Sequence, residues 1–201
     1  MNSSTRMKSV VGSLVTMILL ASLALSVCRQ TANAQTDYID LEEFRWSYTD
    51  FPLKVLVDMN QWSIPAYASV VHDTLDTWLA SIWNYTASYD STNLNAISFT
   101  LFFSNVNSTS NYDVFITFSP DEMPPGSNVV GLTVYDYNSF THSPIPPIMI
   151  NVTTYSRTAS KMFVRDVLMH EFGHALGLGH ASSADTLNGP ELMFPTSSKT
   201  Q

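Results

Sequence analysis

The segment His170-Glu171-Phe172-Gly173-His174-Ala175-Leu176-Gly177-Leu178-Gly179-His180 constrains this chain more than any other, because its chemistry requires a helix that stops abruptly. His170 and His174 are four residues apart. At about 3.6 residues per turn their imidazoles leave one helix face and can share a tetrahedral metal ion. Glu171 is rotated about 100° from His170. It therefore stands beside such an ion without being forced into its coordination sphere, where a carboxylate suits taking a proton from an attacking water. Gly177 comes three residues after His174, the place for a residue that can enter the left-handed region, end the helix and turn the chain. The turn brings His180 back as a third ligand. Three neutral nitrogens leave the fourth position of tetrahedral zinc open, which is the arrangement of a catalytic site and not of a closed structural one.

A His-Glu-x-x-His pair alone also occurs on ordinary solvated helices. The five fixed positions of the longer pattern set this segment apart from them. At these residues the chain resembles the metzincin clan of zinc endopeptidases, whose third histidine is followed by a methionine-containing turn beneath the metal. Glu191-Leu192-Met193-Phe194-Pro195 lies beyond His180 at the place for that turn, so the resemblance makes Met193 the Met-turn residue. Pro195 stands where astacin-like and serralysin-like members carry a tyrosine. That points to the matrixin branch.

The resemblance implies an α+β, zincin-like metalloprotease fold: a twisted mixed five-stranded sheet, one long helix packed on it, an active-site helix and a Met-turn. The sequence pattern agrees in order. Phe51 to Asp58 alternates with Leu53, Val55 and Val57 on one side and reads as a strand. Pro65 suits a first helical turn, and Val71, Leu75, Trp78, Leu79 and Ile82 recur at helical spacing up to about Tyr85. Asn95 to Ser104, Tyr112 to Phe118, Val129 to Tyr135 and Ile148 to Val152 read as further strands, with Pro124-Pro125-Gly126 marking a loop. A second helix is expected from about Thr158 to Gly177. If the fold holds, Val129 to Tyr135 is the edge strand above the cleft, and Gly131, Leu132 and Val134 are the positions to probe for an extended peptide adding itself as one more strand. His72, on the first helix, and His142, alone in a loop, are read as ordinary polar residues and not as ligands.

The chain departs from the family in three ways. No cysteine lies between the N-terminal segment and the motif, so latency through a prodomain cysteine is not expected. No further helix is foreseen beyond Pro195, which bears on the floor of the specificity pocket. The Asp- and His-rich loop that holds structural zinc and calcium in animal matrixins is not recognisable. One catalytic Zn2+ is therefore implied, and structural calcium stays open.

The N-terminus bounds the setting. Arg6 and Lys8 precede an uncharged apolar run over residues 10–27, and Ala32-Asn33-Ala34 supplies small residues at a cleavage position. This reads as a signal peptide over residues 1–34, hence a secreted, extracellular protein, with a membrane anchor as the alternative if the run is not removed. Residues 35–50 read as an arm or short leader, and 51–201 as the catalytic domain. Cys28, the single cysteine, falls in the removed segment, so the mature chain is stabilised by core burial without disulfides. Removal also takes three of nine basic residues and none of the seventeen acidic ones; six against seventeen leaves a charge of −11. No basic stripe offers itself to nucleic acid. Beyond residue 34, the sequons at Asn84, Asn107 and Asn151 are compatible with export.

The expected activity is zinc-dependent hydrolysis of peptide bonds in a protein or peptide substrate by a monomer, with Glu171 as general base, His170, His174 and His180 on the metal, and no covalent intermediate. Two other readings remain: a secreted or anchored zinc-binding glycoprotein without proteolysis, and a zinc hydrolase of a small non-peptide substrate. Metal binding alone would not need Glu171.

Overall fold

In the computed structural model, residues 39–89, 92–105, 109–186 and 189–195 are described. The expected signal segment, the alternative anchor and the sequon at Asn107 lie outside them. Among the described residues no helix is long and apolar enough to cross a membrane.

The elements are β1 (Ile39–Leu41), β2 (Leu53–Asp58), α1 (Pro65–Tyr89), β3 (Phe99–Ser104), β4 (Val114–Ser119), β5 (Gly131–Tyr137), β6 (Pro144–Thr153), α2 (Lys161–Ala175) and β7 (Leu178–Ala181), followed by the two-residue pair β8 (Asp185–Thr186) and β9 (Gly189–Pro190). The main sheet has the order β3-β2-β4-β6-β5. Its first four strands run parallel, and β5 turns back antiparallel to β6. This is the expected α+β, matrixin-like mixed sheet of five strands. A small second sheet, β1 with β7, was not foreseen.

The register explains the core. Val57, Ile116 and Ile150 are direct partners across β2, β4 and β6, and Val55, Val114 and Ile148 form the parallel row beside them. All six are fully buried. Partners across a sheet point to one face, so these branched side chains make a continuous apolar floor, each contributing about 1.5–3 kcal/mol by leaving water. The first row continues from Ile150 to Thr133 of the edge strand. Hydrophobic register thereby decides what Thr133 faces.

Helices α1 and α2 cover the apolar floor. Tyr67, Val70, Val71 and Leu75 of α1 and Val164, Val167, Leu168 and Phe172 of α2 are buried in the same cluster. The helices are tied by the Trp78 indole N–H, which donates to Met169 O at 3.1 Å. Helix α1 runs one turn past the expected end near Tyr85, to Tyr89. Its last turns hold Thr86, which is buried and donates back to Ile82 O at 2.9 Å. Helix α2 begins at Lys161, later than expected, because Ser160 is its N-cap and accepts from Phe163 N. It ends at Ala175, two residues before Gly177, whose φ of +95° lies in the left-handed region.

Several other boundaries move. The segment from Asn95 begins as a 3-10 turn over Thr92–Ala96 before β3, β4 starts at Val114, β5 extends over Gly131–Tyr137, and β6 extends over Pro144–Thr153. Asn151 sits in β6 between two strands, with its side-chain oxygen buried. Asn84 is on the exposed side of α1.

Ile150→Ala is expected to cost about 2–5 kcal/mol through the cavity it leaves, whereas Ile145→Ala, 53% exposed on the same strand, should stay within about 0.5 kcal/mol. Urea unfolding of both variants would check the contrast.

Candidate metal centre

Helix α2 delivers His170 and His174 from one face, and the turn at Gly177 reverses the chain so that β7 carries His180 back beside them. The three imidazoles are mutually close, with ring centroids 4.8, 5.4 and 4.8 Å apart. One ligand nitrogen from each lies within 4.8 Å of the others.

Backbone carbonyls orient the first two rings. His170 Nδ1 lies 2.8 Å from Leu192 O, and His174 Nδ1 lies 2.8 Å from Leu178 O. A carbonyl only accepts, so each Nδ1 carries the proton, and in the neutral ring each Nε2 presents a lone pair. Those two Nε2 atoms face one another at 3.1 Å. Two lone pairs at that distance repel unless a cation sits between or beside them, so the donor set fits a metal ion that binds neutral imidazole. Burial lowers the pKa of His170, opposed by its bond to Leu192, and burial also lowers that of His180. Both shifts favour the neutral, ligating form.

The segment after β9 supports this arrangement from below. Met193 is almost fully buried, and a methyl group on Gly173 would fall 2.4 Å from its sulfur. The tie to the histidines is made by backbone: Leu192 O holds His170, and Met193 O accepts from Ala181 N, next to His180, at 2.8 Å.

Glu171 is 7% exposed. Burial raises its pKa, partly opposed by the Thr133 hydroxyl and by the charges His174 and His180 would carry if protonated. Thr133 Oγ1 donates to Glu171 Oε2 at 2.7 Å. A Cβ on Gly131 would lie 2.4 Å from Glu171 Oε1 and 2.6 Å from Val167 Cγ1, so only glycine lets β5 pass this close to the carboxylate. β5 is the edge of its sheet. Residues 131 and 133 share the face toward Glu171, so Leu132 and Val134 project from the opposite face, 42% and 53% exposed. Thr133 carried no signal in the sequence.

Residues 39–50 pack against the body of the domain. β1 pairs with β7, Glu42 N donates to Gly177 O at 2.9 Å, and the Trp46 indole donates to Ala175 O at 2.8 Å. Glu42 Oε1 reaches within 3.1 Å of His174 Nδ1. His72 instead pairs with Asp76 on the surface of α1, and His142 Nδ1 lies 2.8 Å from Glu43 O. Neither joins the cluster.

The matrixin family pattern, peptidase family M10, matches residues 45–201. The chain belongs to the matrixin family of zinc metallopeptidases. Two solved structures are similar to this matrixin: myroilysin, at 17% identity over 68% of this chain and 47% of that one with a TM-score of 0.34, and metalloproteinase-II from Bacteroides fragilis, at 12% identity over 82% of this chain and 52% of that one with a TM-score of 0.39. The matrixin chain spans about half the length of each. No curated protein matches it. Membership in the family implies zinc, which the neutral three-histidine set fits; calcium has no corresponding cluster among the described residues.

Gly131→Ala should displace the Glu171 carboxylate by about an ångström and lower peptidase turnover on the order of 100-fold while zinc content, measured by metal analysis, stays at the wild-type level.

Proposed function

We propose that residues 51–201, with the preceding arm, form an exported zinc endopeptidase that adds water across peptide bonds of protein or peptide substrates with Glu171 as general base. The observation that carries this is the buried Glu171 carboxylate, fixed by Thr133 beside three imidazoles whose free nitrogens converge. A site that only held metal would have no use for a desolvated carboxylate at that place.

His170, His174 and His180 would hold the zinc. When bound there, zinc supplies Lewis-acid polarisation of the scissile carbonyl and acidifies the attacking water. Glu171 takes the proton of that water, and burial, by raising its pKa, makes it a stronger base than an exposed carboxylate. It then gives the proton to the departing amine, so the products are a carboxylic acid and an amine and the carboxylate is restored. Thr133 holds Oε2 and leaves Oε1 for proton transfer.

The edge strand β5 supplies the surface for substrate. Its outer main-chain groups can pair with an extended peptide, which suits cleavage within a chain. Since Leu132 and Val134 point away from Glu171, recognition on this strand runs through backbone more than through those side chains. Export rests on residues 1–34 read as a signal peptide, removed to leave an arm that begins near residue 35.

The purified protein should cleave a denatured protein substrate, and a zinc chelator should abolish cleavage. Glu171→Gln should lose at least about 100-fold in kcat with zinc retained. Cleavage that survives this substitution would sink the general-base assignment, and zinc-loaded, folded protein that cleaves nothing would favour a binding role or a small-molecule substrate.

Thr133→Val gives a signed pH test. The hydroxyl stabilises the charged carboxylate, so its removal raises the Glu171 pKa further. The acidic limb of kcat/KM should move to higher pH.

A further inference from the structure

We propose that Glu42, from the arm preceding the catalytic domain, is a positioning residue for the metal centre, holding the Nδ1 proton of His174 so that Nε2 is presented to the ion as a stronger donor. This rests on the reading above that the three histidines bind zinc. Residue 42 lies before the span matched by the family pattern, which begins at residue 45.

Glu42 is held in place on every side. Ahead of it, β1 is paired antiparallel with the strand that carries His180, Ile39 opposite Ala181 and Leu41 opposite Leu178. The approach is close: a Cβ on Gly179 would lie 3.0 Å from Asp40 O. At the residue itself, Glu42 N is bonded to Gly177 O, in the turn between His174 and His180. Behind it, Phe44 is 3% exposed with its ring 4.6 Å from that of Tyr135, and Trp46 closes on the end of α2.

Both carboxylate oxygens are committed. Oε1 is 3.1 Å from His174 Nδ1, and Oε2 accepts the hydroxyl of Tyr135 on the edge strand. The Glu42 and His174 side chains are 20% and 11% exposed, so little water screens the contact. The same Nδ1 proton also points to Leu178 O at 2.8 Å. It therefore sees one neutral acceptor and one charged one. A carboxylate beside the non-ligating ring nitrogen fixes the tautomer and raises the basicity of the ligating one, and losing such a partner commonly costs 10–100-fold in metal affinity. The carbonyl alone fixes the tautomer; the carboxylate adds the electrostatic part.

One consequence is reciprocal. If Glu42 strengthens metal binding, bound metal strengthens the docking of the arm by the same factor. Through Tyr135 the carboxylate also ties the metal ligand to the strand proposed to receive substrate.

The test is zinc affinity of the full chain by competition with a chromogenic chelator, with cobalt substituted for zinc to read the ligand field. Glu42→Gln keeps the shape and removes the charge; it should bind zinc about 10–100-fold more weakly and shift the visible cobalt spectrum, with far-UV circular dichroism unchanged. Glu42→Asp should recover part of the loss, and Tyr135→Phe should weaken binding in the same direction by less. Equal zinc affinity and an unchanged cobalt spectrum in Glu42→Gln would overturn the proposal, leaving Leu178 O sufficient. Should that variant not fold, wild-type affinity in Tyr135→Phe overturns it instead. If wild-type protein and His174→Ala bind zinc equally, the metal-site reading itself fails, and this inference with it.

Discussion

Two imidazole nitrogens with their lone pairs turned toward each other at 3.1 Å are the constraint on which the rest of this structure depends. Nothing in the two side chains favours that arrangement. It exists because Leu192 O and Leu178 O each take the proton of the opposite ring nitrogen and leave the rings no other orientation. Those carbonyls come from two segments that the chain has to return to the helix. The turn at Gly177 brings one, and the Met193 segment beneath α2 brings the other. A cation held there would remove the repulsion so created, which would couple metal binding to folding.

The remaining parts of the site are consequences of sheet register. The row Val57, Ile116, Ile150 and Thr133 runs across the sheet. Its first three members are apolar and face the helices, so the fourth must face them too. Thr133 thus meets Glu171 because three branched residues are buried in register with it, not because of any local signal. The absence of a side chain at Gly131 then lets the edge strand approach the carboxylate. The Glu171 carboxylate and the edge strand β5 are set against one another by hydrophobic packing.

The arm shows how a short polar stretch can acquire a structural role. Residues 35–50 lack the periodicity of a helix and are too brief for a strong strand signal. Over residues 39–50 the position is settled by partners far along the chain: β7, the C-terminal end of α2, and Tyr135. Glu42 has no neighbour in sequence that hints at a metal site. Its contact with His174 depends on an antiparallel pairing between residues about 140 positions apart, a kind of contact that local pattern does not encode.

By itself the sequence determined the three candidate metal-binding histidines, the carboxylate beside them and the glycine that ends their helix, since spacings of four, one and three residues act locally and need no tertiary partner. It also determined the order of the five main-sheet strands and the two helices, because apolar periodicity records which faces are buried. Only the tertiary structure decided that α2 starts at Lys161 behind its Ser160 cap, that Thr133 and not Leu132 or Val134 turns toward Glu171, and that Glu42 stands behind His174. Each of these follows from long-range register and packing, where the choice among equally plausible polar residues is made by what the rest of the chain places opposite them.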